Sequence, residues 1–224
     1  MLKPSAAVPA LVLGAFLAVA ACGGETVPEE SAAPGPSVAA SGPTEVKGLK
    51  TPAAFAAIAD EGERSAALFS EMFKVISHPR CMNCHPRGDT PMQGDAMATH
   101  MPPVARGPAG FGVPGMECNA CHGATNVAYV GADGSIPGHE PWMLAPVSMG
   151  WIGLSQGEIC VQLKDETRNG GRDLDALLEH HAEDGLVGWG WAPGEGREPA
   201  PGDQETFGAL TAAWIEAGAA CPGA

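Results

Sequence analysis

Between Thr51 and the mid-seventies, apolar residues recur at three- and four-residue spacing, and Leu68, Phe69, Met72, Phe73 and Ile76 share one face. Thr51-Pro52 supplies a cap with proline at the first helical position, so a helix is expected from the low fifties onward, interrupted near Gly62. Three further helices are expected. Ser155-Gln156-Gly157-Glu158 fits a capping box that opens a short helix carrying Cys160. Another helix runs from about Leu174 to Glu183 and stops at Gly185, and a last one follows Asp203 and ends near Gly218. Between His85 and Trp151 the periodicity fails. There GDTPMQGD, RGPAGFGVPG and GADGSIPGHEP place Gly, Pro and Asp too often for long elements. The fold class expected is mainly α with extensive loops.

The N-terminus carries a different pattern. MLKPS gives a small positive start, and ALVLGAFLAVA is an apolar run too short to span a membrane comfortably. Residues 1–21 therefore predict an export signal. The run ends in Val19-Ala20-Ala21-Cys22, which resembles the lipobox of bacterial lipoproteins. That resemblance implies cleavage before Cys22 and a diacylglycerol on its sulfur; ordinary signal cleavage with Cys22 incidental is the alternative. Lipid chains hold a protein through roughly 0.8 kcal/mol per buried methylene, so several together anchor it firmly. The mature chain is expected outside the cytoplasm, at the periplasmic face of a bacterial membrane. Residues 22–50 are rich in Gly, Pro, Ala and Ser without periodicity, and predict a flexible tether with a reach of roughly 30 Å. The folded domain is expected over 51–224.

Composition sharpens two points. With 31 Gly and 21 Pro against 5% aromatics, the core is modest, and something besides side chains is expected to fill the middle. The formal charge of −14 excludes nucleic acid as a partner, since that requires basic surface. Such acidity would steer the domain toward a basic docking face, more weakly as salt rises, or would simply keep an exported protein soluble.

The chain has seven cysteines. Setting Cys22 aside, Cys81 and Cys84 form one CxxC pair and Cys118 and Cys121 another, each followed at once by a histidine, His85 and His122. CxxCH is the attachment pattern of c-type haem. Each cysteine adds to a porphyrin vinyl group, and the adjoining imidazole becomes the proximal iron ligand. On these residues the sequence resembles the cytochromes c, in a diheme version. The resemblance implies two covalently attached haem c groups in a cytochrome c-like diheme domain. A four-thiolate zinc site is the strongest rival, but it leaves both histidines unexplained. Disulfides within the CxxC pairs are possible though geometrically tight. Cys160 and Cys221 most simply form a disulfide that pins the C-terminal end to an internal helix.

The second axial position of each iron decides what the protein does. His78 is too close to Cys81 to reach over its own haem and would ligate the second, or else bond a propionate. Met149, flanked by bulky apolar residues, suits a haem pocket or ordinary core filling. His180 and His181 point about 100° apart on their helix, and periodicity with Leu174, Leu177 and Leu178 makes His181 the buried one. His100 and His139 lie in loops and rank lower. Arg106, Arg172 and Arg197 are candidates for propionates, because the guanidinium fork suits carboxylates. The five tryptophans are expected to pack the core or the porphyrin faces.

HPRCMNCHPRGDTPMQGD, GMECNACH, QLKDETRNGGRDL and DGLVGWGWAPGEGR together resemble a narrower group, small exported diheme proteins labelled as an isoquinoline 1-oxidoreductase subunit. The resemblance covers most of 75–222 and implies a haem subunit that receives electrons from a molybdenum hydroxylase. The sequence carries no molybdopterin or iron–sulfur motif and no catalytic acid–base pair. The expected function is electron transfer, from a dehydrogenase or hydroxylase toward a cytochrome or oxidase of the respiratory chain. The alternatives are a diheme peroxidase-like enzyme with one five-coordinate haem, or a haem protein that binds a small gas.

Overall fold

The computed structural model describes residues 42–223. The export signal, Cys22 and residues 22–41 of the expected tether lie outside the described residues. The described part is mixed: six α-helices dominate the regular structure, with long irregular connections and four two-stranded ribbons.

The folded domain includes residues ahead of Thr51. β1 (Glu45–Val46) and β2 (Leu49–Lys50) form an antiparallel hairpin in which Val46 faces Leu49. Lys47 and Gly48 both take positive φ, the conformation a two-residue hairpin turn requires. Leu49 is fully buried in the core, and the Lys50 amide donates to Glu71 Oε1 at 2.8 Å. Residues 45–50 therefore belong to the domain and not to the tether, because one leucine at the right register gives the segment a buried anchor.

The first expected helix is two elements. A single 3-10 turn spans Pro52–Phe55, and α1 spans Glu61–Ile76. The break falls before Gly62 because the Asp60 carboxylate accepts from the Glu63 amide at 2.8 Å and caps a new start. Leu68, Phe69, Met72 and Ile76 are buried along α1, with Phe73 half-buried beside them. α2 (Pro79–Met82) follows directly and carries Cys81. Three ribbons come next: β3 (Met92–Gln93) with β4 (Ala98–Thr99), β5 (Gly112–Val113) with β6 (Met116–Glu117), and β7 (Val127–Ala128) with β8 (Ser135–Ile136).

The C-terminal helices follow the sequence pattern closely. α3 (Gln156–Leu163) opens on the Ser155–Glu158 capping box. α4 (Leu174–Glu183) ends at Asp184, whose carboxylate accepts from the amides of Leu186 and Val187 and starts α5 (Gly185–Gly188). α6 (Gln204–Glu216) packs against α1 and α4. Its Gly208 lets the backbones approach, since a Cβ there would lie 2.7 Å from Ala182 Cβ. Trp214, fully buried, stands 5.4 Å from Phe69 ring to ring, and Ser65 Oγ ties α1 to the carbonyl of Trp214 and the amide of Ala220. A disulfide joins Cys160 to Cys221, 61 positions apart in sequence, with Cα atoms 5.6 Å apart. No helix among the described residues is long and apolar enough to cross a membrane.

The chain-entropy model assigns a loop of this length about 4 kcal/mol. The C160A/C221A double variant is expected to lose about 3–4 kcal/mol of unfolding free energy in denaturant melts, through a fall in midpoint. A second prediction concerns α6. Asp203 accepts from the Thr206 amide and hydroxyl, and these donors hold its carboxyl below its ordinary value of 3.8. A depressed carboxyl stabilises above its unfolded value and loses that contribution as pH falls through the folded one. Asp203→Ala is expected to cost about 1 kcal/mol at neutral pH. The gap to the wild type closes as melts are repeated below about pH 4.

Candidate functional site

Both CxxCH stretches form the same local turn. In the first, α2 continues through Asn83, and the amides of Cys84 and His85 donate to the carbonyls of Cys81 and Met82 at 3.1 Å each. In the second, a 3-10 turn spans Cys118–Ala120, with the amides of Cys121 and His122 both donating to the Cys118 carbonyl. Residues three apart in such turns lie on one side, so each pair of sulfurs is presented together. All four thiols are free, in a chain that forms a disulfide elsewhere. Burial pushes the Cys81 thiol up to about 12 and the Cys84 thiol up to about 11, and it also raises Cys118. Among the described residues no three His, Cys, Asp or Glu side chains converge as a metal cage requires.

The two motif histidines are held alike. His85 Nδ1 lies 2.8 Å from the Met149 carbonyl, and His122 Nδ1 lies 2.7 Å from the Pro137 carbonyl. A carbonyl only accepts, so each Nδ1 carries the proton and each Nε2 keeps its lone pair. Each ring also lies flat on a tryptophan: Trp151 at 3.4 Å from His85, and Trp142 at 4.7 Å from His122. Burial lowers His85 to about 3 and lowers His122 as well, which keeps both imidazoles neutral. This is the state a metal-ligating histidine needs, with its second nitrogen fixed by an outer partner.

One segment, 142–151, serves both motifs. It carries both stacking tryptophans and the carbonyl behind His85, and the Ala145 amide donates to the Cys84 carbonyl at 3.2 Å. Arg106 fastens this segment from the other side. Its guanidinium donates to the carbonyls of Ala145, Pro86 and Gly88. GWGWAPGEGR, for which the sequence suggests no structural part, is a latch beside the second motif. Gly194 and Gly196, both at positive φ, bring the chain against Ser135 and Gly134, and Arg197 donates to the Ser135 carbonyl at 2.5 Å. Trp189 donates to Asn126 and meets Trp142 edge-on at 4.9 Å.

The expected second ligands separate clearly. His78 Nδ1 accepts from the Arg80 amide at 3.3 Å and caps α2, which leaves its Nε2 protonated and unable to bind a metal in that tautomer. The Met149 carbonyl stands behind the Nδ1 side of His85 and orients that ring, while the Met149 side chain is buried in the core. His181 is buried as expected, packed against α6 and near enough to His85 for that histidine to help lower its pKa. Its Nδ1 is 3.0 Å from Thr211 Oγ1, which itself donates to the Phe207 carbonyl, and its ring packs on Phe207 at 4.6 Å. His180 is half-exposed, with Nδ1 at 3.0 Å from Asp184 Oδ2. His100 comes within 6.0 Å of His122, ring centre to ring centre, and bonds the Pro102 carbonyl through Nδ1 at 2.9 Å.

Arg106, Arg172 and Arg197 are engaged with backbone and side-chain oxygens of the protein. Sequence reasoning missed Arg80, whose side chain is 1% exposed and paired with Asp95. Its position between His78 and Cys81 was the available signal. Three buried donors beside the motifs have no hydrogen-bond partner: Arg80 Nε, Arg106 Nε and Trp151 Nε1. Unpaired donors, free thiols and neutral imidazoles fit a group that brings carboxylates, vinyl carbons and iron.

No family model, curated protein or solved structure matches the chain.

Arg106→Lys keeps the charge but cannot bridge three carbonyls at once. With buried acceptors left unpaired at roughly 1–3 kcal/mol each, it is expected to lower unfolding free energy by about 2–4 kcal/mol, measured in urea. Arg87→Lys, at an exposed neighbour, is expected to change it by less than about 0.5 kcal/mol.

Proposed function

We propose that the chain is an exported, lipid-anchored electron-transfer protein with a cytochrome c-like domain and two covalently bound haem c groups. One observation carries this reading: each CxxCH motif combines two unpaired cysteines with a neutral histidine whose Nδ1 is tied to a carbonyl and whose Nε2 is free. When bound, such a group supplies a one-electron couple at iron. Cys81, Cys84, Cys118 and Cys121 would hold the porphyrins through thioether bonds, and His85 and His122 would be the proximal ligands.

The protein's own residues then tune the two centres. The carbonyls of Met149 and Pro137 fix the imidazole tautomers and raise their basicity as ligands. Trp151 and Trp142 stop the rings from turning. The donors of Arg80 and Trp151, which have no partner in the protein, would receive carboxylates of the bound groups. The net charge of −14 suits a partner with a basic docking face, a dehydrogenase or hydroxylase as donor and a cytochrome or oxidase as acceptor. Cys22 would carry the anchor, with the chain cleaved before it and held at the periplasmic face of a membrane.

The test is a pyridine-haemochrome assay with intact mass on protein matured by working cytochrome-assembly machinery. Two haems per chain and added acyl mass are expected. The C81A/C84A variant should retain one haem, and C22A should lose the acyl mass while keeping both haems. A colourless wild-type protein with unmodified motif cysteines overturns the reading.

A further inference from the structure

We propose that His100 is the second axial ligand of the iron held by His122, an inference that rests on the two-haem reading. The two rings stand 6.0 Å apart, centre to centre, with their planes at 63°. That spacing leaves room for one metal ion between a pair of imidazoles. Both Nδ1 atoms face prolyl carbonyls, Pro102 for His100 and Pro137 for His122. The carbonyls engage both Nδ1 atoms, and neither Nε2 has a hydrogen-bond partner among the described residues. Two imidazoles at this distance, each with an Nε2 that no described protein group meets, can share one ligand. A cation satisfies both at once.

The placement of His100 is built. Its hairpin, β3–β4, is fastened to the first motif and not to the second. The Met92 amide donates to the Asn83 carbonyl at 3.2 Å, Asn83 Nδ2 donates to the Gly94 carbonyl at 2.9 Å, and Arg80 pairs with Asp95 at the hairpin tip. Beyond the hairpin, the His100 amide donates to the Pro91 carbonyl and the Met101 amide to Gln93 Oε1. Residues anchored on Cys81–Cys84 thus carry a histidine across to His122. The two centres share structure: the loop after the first motif completes the second. His139 does not compete, because its ring is packed against α5, where a Cβ on Gly185 would lie 2.6 Å from its Nε2.

Histidine on both sides makes this centre six-coordinate, closed to small gases and peroxide, and lower in potential than one with methionine. The experiment uses the full-length, haem-loaded protein as wild type, His100→Ala, His100→Met and His139→Ala. Haem content is counted first. Ferrous His100→Ala is expected to bind one more carbon monoxide per chain than the wild type and to show a new high-spin ferric signal in electron paramagnetic resonance. Added imidazole should reverse both. His100→Met should stay low-spin, gain the far-red methionine–iron charge-transfer band and raise the midpoint potential of one haem. His139→Ala should match the wild type. A His100→Ala protein with two haems, no added carbon monoxide binding and no high-spin signal overturns the assignment. So does His100→Met with both potentials unchanged, the decisive variant if His100→Ala does not accumulate. A wild type with fewer than two haems overturns the two-haem reading itself, and this assignment with it.

Discussion

The hydrogen bond from each motif histidine to a backbone carbonyl is the constraint on which the rest of the site depends. A free imidazole exchanges its proton between two nitrogens and turns about two side-chain bonds. Here Met149 and Pro137 remove the first freedom, and Trp151 and Trp142 remove the second. Neither carbonyl comes from the motif that it serves. The first lies 64 positions from its histidine and the second 15. The long irregular stretch from 86 to 151 is therefore the means by which the chain brings a distant peptide group behind each ring. Arg106 and the GWGWAPGEGR latch keep that stretch in place.

Much of this was legible in the sequence, for identifiable reasons. Capping residues are local signals, so the starts of α3, α4 and α6 could be read from Ser155, Asp173 and Asp203 alone. The cysteine spacing marked both motifs, because CxxC followed by histidine compresses its chemistry into five residues. Asp60 was as local a signal but was overlooked in favour of Gly62, since a glycine in the first turn of a helix interrupts nothing that a cap has already begun. The hairpin at 45–50 was hidden by its surroundings: one leucine in a polar, glycine-rich stretch shows no periodicity.

The axial candidates show where local pattern stops being informative. Periodicity correctly identified His181 as buried, but it could not report that α6 ties its Nδ1 to Thr211 and packs its ring on Phe207. Proximity to Cys81 drew attention to His78, whose short tether suits it to cap the helix that presents that cysteine. His100 had only its loop position, and loops carry no pattern that reports what they approach. What places it is the pairing of Arg80 with Asp95 and of Asn83 with Gly94, contacts 15 and 11 positions apart between residues of unremarkable type.

The distribution of apolar burial shows how the two halves of the domain differ. Helices α1, α3, α4 and α6 hold more than half of the core, with Phe69, Leu163, Leu177, Leu210 and Trp214 almost fully enclosed, and the disulfide closes this half on itself. From Asn83 to Ser148, by contrast, Leu144 is the one buried large apolar side chain among the described residues, and it lies outside the main cluster. Hydrogen bonds alone contribute only about 1 kcal/mol each against the entropy of ordering some sixty residues. A segment so poor in apolar contacts needs a further source of buried surface to stay folded. Two porphyrins, each bonded to the protein at two cysteines and flanked by this segment, would supply it. On the proposed reading, the loops are held in place by the cofactors whose histidines they orient, while the helical half stands without them.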